Sequence, residues 1–244
     1  MADGIYSALA GAVAQSHAMD VVSNNLANVS TPGFKGEGLT FREVLLESEH
    51  GLNRTQQQVT VDGSFTDFST GRIRTTGNPL DVALMGDGFL AVETPGGVRY
   101  TRAGALTLSD QGQLVGPQGF PILGESGPIV AQPPQADGPA SRLRISEDGG
   151  VWQGQQQLGT IQRVRFDRPQ ALRREGQNLW QAPGAARLQP SQEALEVGSI
   201  EGSNVSAVES MTDLIWVSRA YEIFTRTIET FNRTDQRTAT ELGA

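Results

Sequence analysis

Apolar residues near the start of the chain recur at mostly helical intervals. Ile5, Leu9, Ala12, Met19, Val22 and Leu26 share one face, with a weak point around Ser16. No proline interrupts the stretch, and Asp3 stands where an N-cap would. The face is narrow and alanine-rich, so a partner can come close to it, but it buries little by itself. Asn24, Asn25 and Asn28 favour local side-chain-to-backbone bonds, and Pro32-Gly33 closes the helical option. The pattern predicts a helix ending between Asn24 and Val29, followed by a corner built from Asn24, Asn25, Asn28, Pro32, Gly33 and Phe34.

The last third of the chain is more regular. Leu214, Val217, Tyr221, Phe224, Ile228 and Phe231 are spaced alternately by three and four residues, the a/d seam of a coiled coil. Ser206 followed by Glu209 supplies a capping box. An amphipathic helix on an ordinary core fits the spacing too. So does a pair of terminal helices packed on each other or on copies of themselves.

Between the two helices the period changes. "DVALMGDGFLAVET" reads as two strands broken at Gly86-Asp87-Gly88, and "RYTRAGALTLSDQGQLVG" as a hairpin closed by Ser-Asp-Gln-Gly. "RLRISEDGGVW" repeats that grammar around Asp148-Gly149-Gly150. In "IQRVRFD" the step from Ile161 to Val164 is three residues, which predicts a strand with a bulge. Long helices are not expected between about residues 70 and 195. Residues 47 to 65, with Gln56-Gln57-Gln58, read as a polar connection, and residues 130 to 142 as an exposed linker. The expected fold is mainly β with terminal helices. Residues 1–75 hold the N-terminal helix, corner and connection; 76–195 hold the β body, with a small inserted β unit near 125–157; 196–244 hold the C-terminal helix.

Composition narrows the functions. The 244 residues carry a net charge of -8, which argues against a nucleic-acid surface. Cysteine is absent and histidine limited to His17 and His50, so thiolate chemistry and a histidine metal centre have no basis. The N-terminus lacks the basic start of a cleaved signal, and no run is long enough to span a membrane. Neither a dinucleotide fingerprint nor a phosphate loop occurs. Asp81 with Asp87, and Glu147 with Asp148, sit beside turn glycines, where aspartate commonly bonds its own backbone. Trp152, Trp180 and Trp216 are too scattered to form a stacking platform. No enzyme, cofactor or metal site is expected.

With both ends read, "SNNLANVSTPGFK" resembles the N-terminal signature of the rod and hook proteins of the bacterial flagellum. "GNPLDVALMGDGFLAV" is similar to that family's first β segment, and "YTRAGALTLSDQGQLVG" to its following hairpin. "LGTIQRVRF" and "GQNLW" resemble the return to the β domain. "LEVGSIEGSNVSAVESMTDLIWVSRAYEIFTRTIETF" resembles the C-terminal signature. Within the family the opening and the short length are closest to proximal rod subunits, with distal rod subunits the alternative.

The resemblance implies a motility protein that assembles with itself and other rod proteins, the distal rod protein among them, into a periplasmic drive shaft. It implies passage through the flagellar export apparatus without signal cleavage, terminal helices lining the inner tube, and no nucleic-acid or small-molecule partner. The helices are then expected to fold fully only when neighbours cover them. Changes at Pro32 and Gly33 are expected to harm assembly more than the β body. A secreted β-rich binding module, adhesin-like, is the alternative from another class.

Overall fold

Residues Ala2–Ala27 form one helix, α1, in a computed structural model that describes residues 2–47, 55–131, 143–176, 178–184 and 186–242. Alanine is frequent along it and proline absent, which favours an unbroken helix. It stops within the expected window, where the Thr31 N–H bonds Asn28 O at 3.1 Å and the Thr31 hydroxyl bonds Asn28 Oδ1 at 3.2 Å. Asp3 is already helical, so it is not the N-cap that the sequence led us to expect.

The second helix, α2, spans Ala207–Leu242. Ser206 caps it: its Oγ accepts from Glu209 N–H at 3.5 Å and its carbonyl from Ser210 N–H at 2.9 Å. Thr212, Thr225, Thr227, Thr230 and Thr234 each donate a hydroxyl to the carbonyl four residues earlier, which satisfies those hydroxyls within the helix itself.

Two compact units divide the chain. The first comprises residues Met1–Ala27, Glu37–Asp67 and Ser206–Ala244. Here α1 and α2 pack on each other, joined by a two-stranded antiparallel ribbon of β1 (Glu37–Glu47) and β2 (Thr55–Thr66). Of the stretch read as a polar connection, residues 55–65 are paired strand. Gln56, Gln57 and Gln58 lie in register opposite Leu46, Leu45 and Val44. The partner strand satisfies the backbone whatever the side chains are, so polar residues do not prevent pairing. Residues 48–54, including His50, and 132–142, most of the expected linker, lie outside the described residues.

The second unit comprises residues Asn28–Gly36 and Phe68–Val205. The segment 28–36, which the sequence reading joined to the N-terminal helix, is thus grouped with the β strands. β3 (Ile73–Thr75) pairs with Ser199–Glu201 and β4 (Val82–Leu84) with Leu195–Val197, so both ends of the β region are sewn together. The largest sheet is antiparallel and six-stranded. Its order is Arg173–Arg174, Trp180–Gln181, β6 (Gly97–Thr101), β5 (Phe89–Thr94), Arg163–Phe166 and Leu188–Pro190.

The glycine turns fall where the sequence sets them. Gly112 N–H bonds Ser109 O, and Gly149 N–H bonds Ser146 O, closing the two expected hairpins. The three-residue step from Ile161 to Val164 has a different cause from a bulge. Ile161 bridges to Gly124 and packs in one core with Leu90, Val92, Leu106 and Ile122. Val164 and Phe166 belong to a neighbouring strand segment and a second core, with Phe89, Tyr100 and Trp180.

Candidate assembly site

The corner sequence is docked, not free. Gly33 lies at φ +68°, and its N–H bonds Glu201 O at 2.8 Å. A methyl group on Gly33 would sit 2.5 Å from Ala103 N and 2.7 Å from Arg102 O, so both conformation and space demand glycine. Pro32 O accepts from Asn178 Nδ2 at 3.2 Å. Phe34 is buried beneath the Arg174 guanidinium, whose Cζ lies 4.6 Å from that ring's centroid and 4.8 Å from the Trp180 ring's. Arg174 Nη2 also donates to Lys35 O.

Beneath the corner is a charged centre that the sequence did not disclose. Lys35 Nζ donates to Glu201 Oε1 at 2.6 Å and to Ser69 O at 2.6 Å. Arg102 Nη1 approaches Glu201 Oε2 at 3.3 Å, and Gly71 N–H donates to Glu201 Oε1 at 2.9 Å. One carboxylate therefore binds two cations and a peptide N–H. Asn204 completes the fastening: its Oδ1 accepts from Gly36 N–H at 2.8 Å, and its N–H donates to Phe34 O at 3.3 Å. These bonds bury the corner in the β unit. On these contacts a change at Gly33 is expected to reach the β body as well as assembly.

Asn24 and Asn25 belong to the last turn of α1, in the other unit. The Asn25 amide clamps the first peptide of β1, donating to Glu37 O at 2.7 Å and accepting from Glu37 N–H at 2.9 Å. Asn28 opens the turn that follows the helix.

In the helix pair, Leu214, Val217, Phe224, Ile228 and Phe231 are half-buried and Tyr221 is 40% exposed. From α1, Ala12 is buried; Ile5, Met19, Val22 and Leu26 are half-buried; Leu9 is 49% exposed. Sequence reasoning missed the smallest residues. A methyl on Gly4 would lie 2.8 Å from Phe231 Cζ, and one on Gly11 would lie 2.6 Å from Phe224 Cζ. Ala8 and Ala18 are buried on the same side. Large side chains from α2 thus enter a groove that glycine and alanine leave in α1.

The shifted titrations belong to structural contacts. The Arg99 guanidinium, hydrogen-bonded to Glu175, holds that carboxyl below its usual range and is itself raised by the contact. The Ser146 hydroxyl, followed by Gly150 N–H, holds Asp148 low. Burial pushes the Tyr100 phenol up. Asp81 accepts from Thr76 Oγ1 at 2.6 Å and Asn78 Nδ2 at 2.9 Å, so its carboxylate is held by side chains of the turn and not by its own backbone. Among the described residues no group of three or more His, Cys, Asp or Glu could hold a metal ion, and no helix is long and apolar enough to cross a membrane.

Known proteins resemble the chain at both helices and in the β unit. Residues 5–35 match the family described as "Flagella basal body rod protein", 83–153 the "Flagellar hook protein FlgE/F/G D1 domain", and 196–241 the "Flagellar basal body rod FlgEFG protein C-terminal". The flagellar basal-body rod protein FlgF of Caulobacter vibrioides is 34% identical over 225 residues, 91% of this chain and 90% of that protein. The chain belongs to the flagellar basal-body rod protein family. FlgF of Escherichia coli is 35% identical over 236 residues, 91% of each chain. FlgG of Buchnera aphidicola (strain from Acyrthosiphon pisum) is 33% identical over 264 residues, 97% of this chain and 98% of that protein. Membership of the rod family makes this a motility-related structural protein of the axial, self-assembling kind. The N-terminal match takes in α1 and the docked corner, and the C-terminal match runs from the strand Leu195–Val197 through most of α2.

Proposed function

We propose that this chain is a proximal-type subunit of the flagellar rod, assembling with its own copies and with other rod proteins, the distal rod protein included. The subunit transmits torque along a periplasm-spanning shaft and reaches it through the flagellar export apparatus without signal cleavage. Its work involves no catalytic step, cofactor, nucleic acid or small-molecule substrate. The observation that carries this reading is the apolar surface remaining on the paired helices. Tyr6, Leu9 and Val13 on α1, and Val208, Met211, Ile215, Trp216 and Ile223 on α2, are exposed, with Trp216 at 69%. A helix pair acting alone has no use for so many exposed large apolar groups, whereas neighbours in a tube cover them.

The proximal type is supported by the opening sequence and by FlgF relatives in several bacteria. The distal type is the second reading, favoured by FlgG relatives that cover 97% of the chain. An adhesin-like module also accommodates two helices packed within one chain, but rod-family membership and the exposed helix faces favour assembly.

Electron microscopy of isolated basal bodies carrying a labelled copy tests the reading. Label at the membrane-proximal end of the rod is the expected result. Label along the distal rod would favour the second reading, and its absence from basal bodies would overturn both.

A further inference from the structure

We infer that the two terminal helices carry a graded size code that permits one antiparallel register, with Gly4 and Gly11 as the residues that set it. The inference deepens the assembly reading above and rests on it for its biological role. Two contacts anchor the geometry: the Phe231 ring lies over Gly4, and the Phe224 ring over Gly11. The glycines are seven residues apart in α1 and the phenylalanines seven apart in the reverse direction in α2. The helices therefore run antiparallel with a heptad seam.

Continued by heptads, that register sets Ala18 opposite Val217 and Asn25 opposite Ser210. Ala18 and Ser210 are both buried, as this requires. The intervening layers set Ala8 opposite Ile228, Gln15 opposite Tyr221, and Val22 opposite Leu214. Along α1 the anchoring residues grow, from Gly4 and Gly11 to Ala18 and Asn25. Along the facing side of α2 they shrink, from Phe231 and Phe224 to Val217 and Ser210. Each large knob meets the smallest available hole.

A slip of one heptad breaks this match in either direction. One slip drives Phe224 against Ala18 and Val217 against Asn25, which overpacks the seam. The other sets Val217 over Gly11 and Ser210 over Ala18, leaving voids, and carries Phe231 past the first turn of α1. Propensity alone would favour alanine over glycine inside α1, so the glycines oppose the helix's own preference while serving the packing. Subunits of a shaft that share one helix register present the same lateral surface to every neighbour.

Because the chain has no cysteine, an introduced pair reports register without interference. In the full-length protein, Ala8→Cys with Ile228→Cys is expected to form a disulfide on mild oxidation. Gln15→Cys with Ile228→Cys, out of register, is not. Adding Gly11→Leu to the first pair is expected to lower its cross-linking at least about five-fold. Adding Phe224→Ala as well restores it, and Ser16→Ala, at an exposed position off the seam, leaves cross-linking unchanged. Unaltered cross-linking with Gly11→Leu, or no recovery on adding Phe224→Ala, would overturn the size code. Rod yield scored in the same strains separates the two proposals. A register lost as expected beside normal rods leaves the code standing and overturns the assembly reading.

Discussion

Lys35 Nζ lies 2.6 Å from Glu201 Oε1, and neither side chain is reached by solvent. The two residues are 166 positions apart in sequence, one in the segment that follows α1 and the other in the strand shortly before α2. Arg102, also buried, shares the same carboxylate. A buried charge without its partner is costly, so the three groups depend on one another unequally.

Glu201→Ala should therefore be the most damaging change at this centre, since it leaves two buried cations without their anion. A loss of about 3–5 kcal/mol is expected, read from denaturant unfolding of the full-length protein. Lys35→Met should cost less, because Arg102 still neutralises Glu201. Equal losses from the two variants would contradict the central role of the carboxylate.

Gly33→Ala is expected to destabilise the β unit by more than about 1–2 kcal/mol, because a left-handed backbone conformation and a backbone collision add. Pro32→Ala should cost less, as Pro32 contributes its carbonyl to Asn178 and that group survives the substitution. Thermal melting of the two single variants distinguishes them. A Gly33→Ala protein that melts normally would mean that the corner is not held in the β unit.

How far the site could be read from sequence depended on residue size and on distance along the chain. The α2 seam was legible because Leu214, Phe224, Ile228 and Phe231 are large and evenly spaced. The α1 groove was legible only in part: its alanine-rich face and Ala12 mark it, whereas Gly4 and Gly11 have no side chain for an apolar pattern to register. Ile5 and Leu9 carry the apolar pattern of that helix, yet Leu9 is half exposed. Hairpins closed by Asp-Gly-Gly and Asp-Gln-Gly declared themselves through turn chemistry. The ribbon of β1 and β2 did not, since its glutamines carry no strand period. The Lys35–Glu201–Arg102 centre left no local signal, because its members meet only after the chain has folded.

Acid should weaken the β unit through Glu175 and Asp148. Both carboxyls are held below their usual range in the folded protein, Glu175 by Arg99 and Asp148 by the Ser146 hydroxyl. Their stabilisation is complete above the unfolded value, roughly pH 4, and is lost as pH falls through the lower folded values. Glu175→Gln with Asp148→Asn should melt lower than the natural protein at pH 7. It should also lose less on acidification from pH 5 to about pH 2.5. Parallel melting curves across that range would exclude both groups as the source.

Replacing Leu214, Tyr221 and Ile228 together by serine should reduce helical circular dichroism and stop incorporation into rods. Each fully buried apolar side chain contributes roughly 1.5–3 kcal/mol, and these partly buried ones somewhat less. Changing Thr212, Arg219 and Arg226 to alanine should matter less. Fractionation should find the serine variant exported but unassembled, and normal rods built from it would refute the seam.

The fastening of Gly36 to Asn204, residues 168 apart, has a mechanical consequence. The segment that follows one helix and the segment that precedes the other are hydrogen-bonded directly, Gly33 to Glu201 and Phe34 to Asn204. A pull arriving along the first segment can leave along the second through these few bonds, without passing through the six-stranded sheet. The strands between them form a side branch that starts and ends at this clasp. Loops in that branch can lengthen or shorten without undoing the bonds that tie its first segment to its last.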